Sequence, residues 1–147
     1  MEPISKIASR GVAMIDPFAE RGRDAMPDGE YTMVLVDIET RMVPNKNDPK
    51  KESTQLIFVF EEPITKHRIK EYIYVSRTPG SRAVTFMAAL VGSETLAPLL
   101  KRGSSPWLAI QECKGKMYRI TTQQANGWTN LRWDMIQKRP LLVPKKD

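Results

Sequence analysis

The sequence predicts a mainly β domain: a five- or six-stranded, OB-like Greek-key barrel with a helical insert after strand three. Three observations carry that expectation. Segments that alternate in polarity with a two-residue period, rich in β-branched and aromatic side chains, recur from Glu30 onward. One amphipathic helical stretch interrupts them, beginning near Ser81. The resulting order is three strands, a helical segment, then two or three strands, which is the plan of a small barrel that often binds single strands.

The elements follow in order. Residues 1–28 read as a peripheral N-terminal segment, because Ile4, Ile7, Val12, Met14 and Ile15 keep no sustained period and Pro17 interrupts them. A short helix over residues 17–26 suits a proline at its start. Pro27, Asp28 and Gly29 form a turn signal, and the domain is expected to span 29–136. Residues 30–43 are β-branched and apolar on both faces at their start, so they predict a strand covered on both sides. Residues 44–52 are polar, bounded by Pro44, and carry Lys46, Lys50 and Lys51: a hairpin loop. Residues 53–61 form the second strand, with Leu56, Phe58 and Phe60 on one face and Ile57 and Val59 on the other. The third strand covers 68–76 after a turn at 63–67.

Ser81 suits an N-cap, because its hydroxyl accepts a bond from a first-turn amide. Val84, Met87, Ala88 and Val91 then form an apolar stripe three or four residues apart. Gly92 ends this helix, and Ser93 caps a second through Leu100, with Lys101 and Arg102 complementing its C-terminal dipole. Residues 107–112 and 116–122 read as the fourth and fifth strands, joined by a turn at 113–116. A turn at 125–127 precedes a last strand over 128–135, with Leu131, Trp133 and Met135 on one face. Residues 137–147, with Pro140, Pro144 and several basic groups, read as a loose basic tail.

Composition narrows the function. A chain of 147 residues with 41% hydrophobic content fits one domain with an ordinary core. The longest apolar stretches fall far short of the ~20 residues a membrane span needs, and no apolar leader follows the first residues. A lone cysteine, Cys113, excludes an intramolecular disulfide and a cysteine-rich zinc site. These features point to the cytoplasm. Lys and Arg number 23 against 17 Asp and Glu, a net charge of +6, which favours a polyanionic partner through counterion release. A solvated basic surface serves solubility equally well.

The third strand concentrates the functional signal. Ile69, Ile73 and Val75 fall on one face, with Glu71 as the odd member; Lys70, Tyr72 and Tyr74 fall on the other. A lysine beside two tyrosines on an open sheet face grips a phosphate chain and stacks its bases. Packing of both tyrosines under a helix or loop is the plain alternative. Arg77 lies just beyond. Further candidates are Lys46, Lys50 and Lys51 in the first hairpin loop, Lys114, Lys116 and Arg119 around the late hairpin, and Trp128 with Arg132 on the last strand. Tyr118, beside Ile120, reads as core. Trp107, after Pro106, is placed to seal a barrel end.

Several features resemble a family of small, mostly uncharacterised phage proteins that look like OB-fold single-stranded-DNA-binding proteins. They are the Pro27–Tyr31 entry into a long first strand, the Lys/Asn loop, the Leu56–Phe60 strand, the helix ending near Leu90-Val-Gly, and the Gln111–Arg119 hairpin. The resemblance covers residues 27–135. It implies single-stranded DNA as partner, little sequence preference, and a place in phage DNA replication or recombination beside other proteins of those processes. Homo-oligomeric assembly is left open. The acidic tail common to bacterial single-strand-binding proteins is replaced here by a chain ending Val143-Pro-Lys-Lys-Asp.

Enzymatic chemistry is poorly supported, and no cofactor, catalytic residue or metal ligand is assigned. His67 is the sole histidine, in a polar turn. A magnesium-dependent nuclease would need carboxylates such as Asp37, Glu39, Glu61, Glu62 or Glu71, and they form no paired motif. A protein-binding adaptor or inhibitor module in a phage or host assembly is the rival reading, suggested by eight methionines and the apolar N-terminal segment.

Overall fold

The computed structural model describes residues 26–45, 47–48, 50–125 and 127–145. The expected helix over 17–26 lies outside them except for Met26, as does most of the peripheral segment.

The long strand β1 (Gly29–Pro44) organises the sheet. Its first half pairs antiparallel with β4 (Met117–Ala125), its second half with β2 (Glu52–Glu61). A bulge makes the change: the register slips between Leu35 and Asp37. Strict alternation from Leu35 would turn Asp37 into the core. The extra residue instead brings Ile38 inward beside Leu35 and leaves Asp37 half-exposed. The turn before β4 docks at this point, with the Gly115 amide donating to the Leu35 carbonyl at 2.8 Å and the Leu35 amide donating to the Lys116 carbonyl at 3.0 Å. The apolar run expected to be covered on both sides is thus a bulged strand. The strand buried on both faces is β2, where residues 55–60 are all buried.

β3 (Arg68–Tyr74) pairs with β2, and β5 (Trp128–Leu131) pairs with β4. The strand order is therefore β3-β2-β1-β4-β5, with β8 (Leu142–Pro144) also paired to β4 beside β5. β6 (Trp133–Asp134) and β7 (Arg139–Pro140) form a small separate ribbon. The result is a mainly β protein with an open, antiparallel six-stranded sheet.

Between β3 and β4 lie α1 (Arg82–Val91), α2 (Ser93–Lys101) and α3 (Trp107–Gln111). Ser81 Oγ caps α1 by accepting from the Val84 amide at 3.3 Å, as expected. Gly92, at φ 94°, lets the chain leave α1 and enter α2 at once. The buried stripe of α1 is Ala83, Phe86, Met87 and Leu90, one residue before the expected stripe at every position, because Phe86 rather than Ala88 faces the sheet. Phe86 packs on Phe58 with centroids 4.8 Å apart, and Phe60 meets Tyr118 edge-on at 6.0 Å. Tyr118 is fully buried, and its hydroxyl donates to the Leu90 carbonyl at 3.2 Å, which ties α1 to β4. Burial pushes its phenol well above the ordinary value.

Three expectations are corrected. Residues 107–112 are not a strand: α3 occupies 107–111 with Glu112 as its C-cap, and only Ile110 turns into the core. A short apolar run reads as strand or buried helix equally well, and the partner element decides. The expected loose tail over 137–147 is not loose where it is described, over 137–145. Leu142 is buried in the core, and Tyr118, Arg119 and Ile120 pair with Pro144, Val143 and Leu142. Pro144 is tolerated because β8 lies at an edge. Finally, Met135 does not share the face of Leu131; it sits on the exposed turn after β6. The packed chain also extends before residue 29. Met26 is buried, and its amide donates to Thr129 Oγ1 at 2.8 Å.

Glu71 finds its reason at the seam between the sheet's two ends. β3 and β5 pack against each other without a ladder. Glu71 points inward from β3 and accepts from Trp133 Nε1 at 3.0 Å and from the Arg82 guanidinium. Arg82 also lies over the Trp133 ring, 3.9 Å from its centroid. One buried carboxylate thus joins β3, α1 and β6. Burial raises its pKa above the ordinary 4.5, with Arg82 and Trp133 opposing that effect. The folded state then holds this proton more tightly than the unfolded chain. Its favourable contribution is complete below about pH 4.5 and is lost as pH rises through the raised folded value. Urea titrations of wild type and Glu71→Gln are expected to diverge in that window, the wild type losing more stability as pH rises. Parallel curves would show that Glu71 keeps its ordinary pKa.

Candidate nucleic-acid interface

β3 alternates in burial from Arg68 to Tyr74: Ile69, Glu71 and Ile73 are buried; Lys70, Tyr72 and Tyr74 are exposed. Tyr72 and Tyr74 are 44% and 47% exposed, so neither packs under a helix or loop. The register sets what lies beside them. Across β2 and β1, Lys70 aligns with Val59 and Asp37, Tyr72 with Ile57 and Glu39, and Tyr74 with Gln55 and Arg41. The outer face is therefore a trough. Buried Gln55, Ile57 and Val59 form its floor, the Lys70–Tyr72–Tyr74 file forms one bank, and Asp37, Glu39 and Arg41 form the other.

Arg41 crosses the trough. Its Nε donates to Gln55 Oε1 at 2.9 Å, and its guanidinium carbon stands 5.6 Å from the Tyr72 ring centroid. Sequence reading missed Arg41. Counting the hairpin register back from Pro44 opposite Glu52 places it opposite Gln55, so the signal was present. Asp37 and Glu39 make the β1 bank unfavourable to a phosphate chain, and Lys70 makes the β3 bank favourable.

The β1–β2 loop continues the β3 bank. Lys50 and Lys51 are exposed there. The loop folds on itself, the Asn45 amide donating to the Lys51 carbonyl at 2.9 Å and Asn45 Nδ2 to Ser53 Oγ at 3.2 Å. Tyr74 shares a small cleft of ≈ 170 Å³ with Pro44, Asn45 and Ser53 at the foot of this loop. Lys46 lies outside the described residues.

The remaining candidates fall elsewhere. Lys114 and Lys116 are exposed in the turn before β4, and Arg119 lies on β4 opposite Thr32 of β1 and Val143 of β8, beyond the bulge. Arg119 Nε is 3.9 Å from Glu30 Oε1. Trp128, 51% exposed, and exposed Arg132 flank β5. Arg132 directly precedes Trp133, whose bond to Glu71 carries that stretch of chain to the β3 seam. Arg77 turns away from the trough, its Nη2 donating to the Leu100 carbonyl at 3.4 Å. The structure thus joins Lys50, Lys51, Lys70, Tyr72 and Tyr74, and separates them from Lys114, Lys116, Arg119 and Arg77.

The acidic and histidine groups are taken up locally. Glu62 accepts from the Thr65 amide at 2.6 Å and from its hydroxyl at 2.8 Å, which holds its carboxyl below the ordinary value. His67 Nδ1 is 3.0 Å from Thr65 Oγ1 in the same turn. No three His, Cys, Asp or Glu side chains among the described residues are grouped to hold a metal ion, and no helix of the described residues is long and apolar enough to cross a membrane.

No protein-family model, curated protein or solved structure matches this chain.

Proposed function

We propose that the protein binds single-stranded DNA with little sequence preference, without being an enzyme, and serves phage DNA replication or recombination. The observation that carries this reading is the exposed Lys70–Tyr72–Tyr74 file beside a loop bearing Lys50 and Lys51. Phosphates lie along the lysines and successive bases stack on the tyrosines. Lys114, Lys116, Arg119, Trp128 and Arg132 provide an outlying basic and aromatic surface for a longer strand.

The fold reading that accompanies it is an OB-like barrel with a helical insert. Its support is the order β3-β2-β1-β4-β5, the single long bulged β1 shared by both halves, and the packing of β3 on β5. In such folds the β2–β3 face and the β1–β2 loop bind the strand, which is where the exposed tyrosines and lysines lie. The resemblance to the phage family of single-stranded-DNA-binding proteins rests on the same elements.

A fluorescence titration with oligo-dT tests the proposal. Neutralising about three phosphates, one each at Lys50, Lys51 and Lys70, gives a log–log salt slope of about −2. Affinity then falls roughly twentyfold between about 50 and 200 mM salt. No binding at the lower concentration would sink the proposal. It would promote the adaptor reading, which is supported by Met135 and Ile136, 81% and 92% exposed on a turn that Asp134 holds by accepting from the Ile136 and Gln137 amides.

A further inference from the structure

A cavity of ≈ 330 Å³ opens at the end of the sheet where β1, β2 and β3 meet α1 and α3. Its floor is made by Leu56, Ile73, Met87 and Ile110, all buried. Its mouth is flanked by Trp107 and Val75, 40% and 53% exposed, and by Arg77. The remaining lining is Ala83 and Pro106 with the hydroxyls of Thr40, Thr54, Ser76 and Ser105, and no carboxylate among the described residues lines it. Trp107, expected to seal a barrel end, borders this opening instead of closing it.

Size and chemistry together restrict the occupant. Ligand cavities begin near about 300 Å³, and an apolar cavity of about 150 Å³ holds one benzene ring. The space here is about twice that, enough for a fused two-ring aromatic body or a medium-length acyl chain. The inner wall is almost wholly carbon, so a nucleobase buried there would leave its hydrogen-bonding edge unpaired, at a desolvation penalty. Arg77 has no carboxylate partner within 4 Å among the described residues. Its bond to the Leu100 carbonyl is long at 3.4 Å. An apolar pocket with a cation at its mouth that no described carboxylate pairs is complementary to an apolar acid.

We propose that this cavity binds a small apolar carboxylate, its hydrocarbon body between Leu56, Ile73, Met87 and Ile110 and its carboxylate on Arg77. This site is distinct from the trough, and the inference does not depend on DNA binding. It also gives a role to Arg77, a predicted contact residue that turns away from the tyrosines.

The test uses naphthalene carboxylate and its neutral counterpart, naphthalene methanol, titrated calorimetrically into the full chain. Both compounds are expected to bind. Val75→Trp, at an exposed mouth position, is expected to abolish binding of both. Arg77→Gln is expected to weaken the acid roughly tenfold or more while leaving the alcohol unchanged, as loss of a charge-assisted hydrogen bond requires. No binding of the acid at millimolar concentration overturns the proposal. So does undiminished binding in Val75→Trp, or equal weakening of acid and alcohol in Arg77→Gln. Both substituted positions are solvent-exposed, so neither variant disturbs the core.

Discussion

Replacing Tyr72 and Tyr74 together with alanine is expected to weaken oligo-dT binding by at least roughly thirtyfold, from about 1–3 kcal/mol lost per stacked base. The rings are about half exposed and lie on the outer face, so thermal stability is expected to change little. Fluorescence anisotropy at constant low salt reads the first effect, and a melting curve reads the second. The two tyrosines are not equivalent. Tyr72 also receives the Arg41 guanidinium, whereas Tyr74 stands at the foot of the lysine-bearing loop. Tyr72→Ala therefore removes a stacking surface and the aromatic partner of Arg41, and its effect is expected to exceed that of Tyr74→Ala. Unchanged affinity in the double variant, with binding intact, would move the site to the Lys114–Arg119 side of β1.

Leu142→Ala is expected to destabilise the fold by about 2–5 kcal/mol, the usual range for emptying a buried leucine site. Leu142 is 3% exposed and sits opposite Ile120 in the ladder between β4 and β8. Small domains have only about 5–15 kcal/mol of total stability, so the loss is a large share. Urea unfolding measures it. A midpoint unchanged from wild type would mean that residues beyond 137 hang loose after all. The neighbouring Val143, 60% exposed, serves as the internal comparison: Val143→Ala is expected to cost well under 1 kcal/mol.

Much of the candidate site was legible because it depends on local geometry. Alternation along residues 68–74 needs only a strand, and the two-residue period then separates Lys70, Tyr72 and Tyr74 from Ile69 and Ile73 without reference to the rest of the molecule. Ser81 caps a helix for an equally local reason. Trp133, on the face of Leu131 by the same period, packs against Phe86 at 6.2 Å between centroids, and the contact candidate Trp128 is exposed.

What was illegible depended on partners distant in sequence. Residues 107–111 are a helix although the apolar run suits a strand, because their backbone finds no sheet edge and Ile110 alone is needed for the core. Glu71 looked misplaced on an apolar face. Its partners are Arg82, 11 residues on, and Trp133, 62 residues on, and no local pattern connects them. The two prolines that made the C-terminal stretch read as a tail forbid only particular backbone donors, and β6–β7 pairing and the β8 edge do not require them.

By itself the sequence determined the mainly β character, the helical interruption after the third strand, and the polarity of the β3 faces. All three are properties of single segments, set by backbone period and side-chain type. Only the tertiary structure decided where β1 bulges, because the docking of Gly115 and Lys116 on Leu35 selects the slipped residue. The bulge in turn orients Asp37, Glu39 and Arg41, so it decides that the trough has one acidic and one basic bank. The same holds for the cavity beneath Trp107: its walls come from three strands and two helices, which meet only in the folded chain.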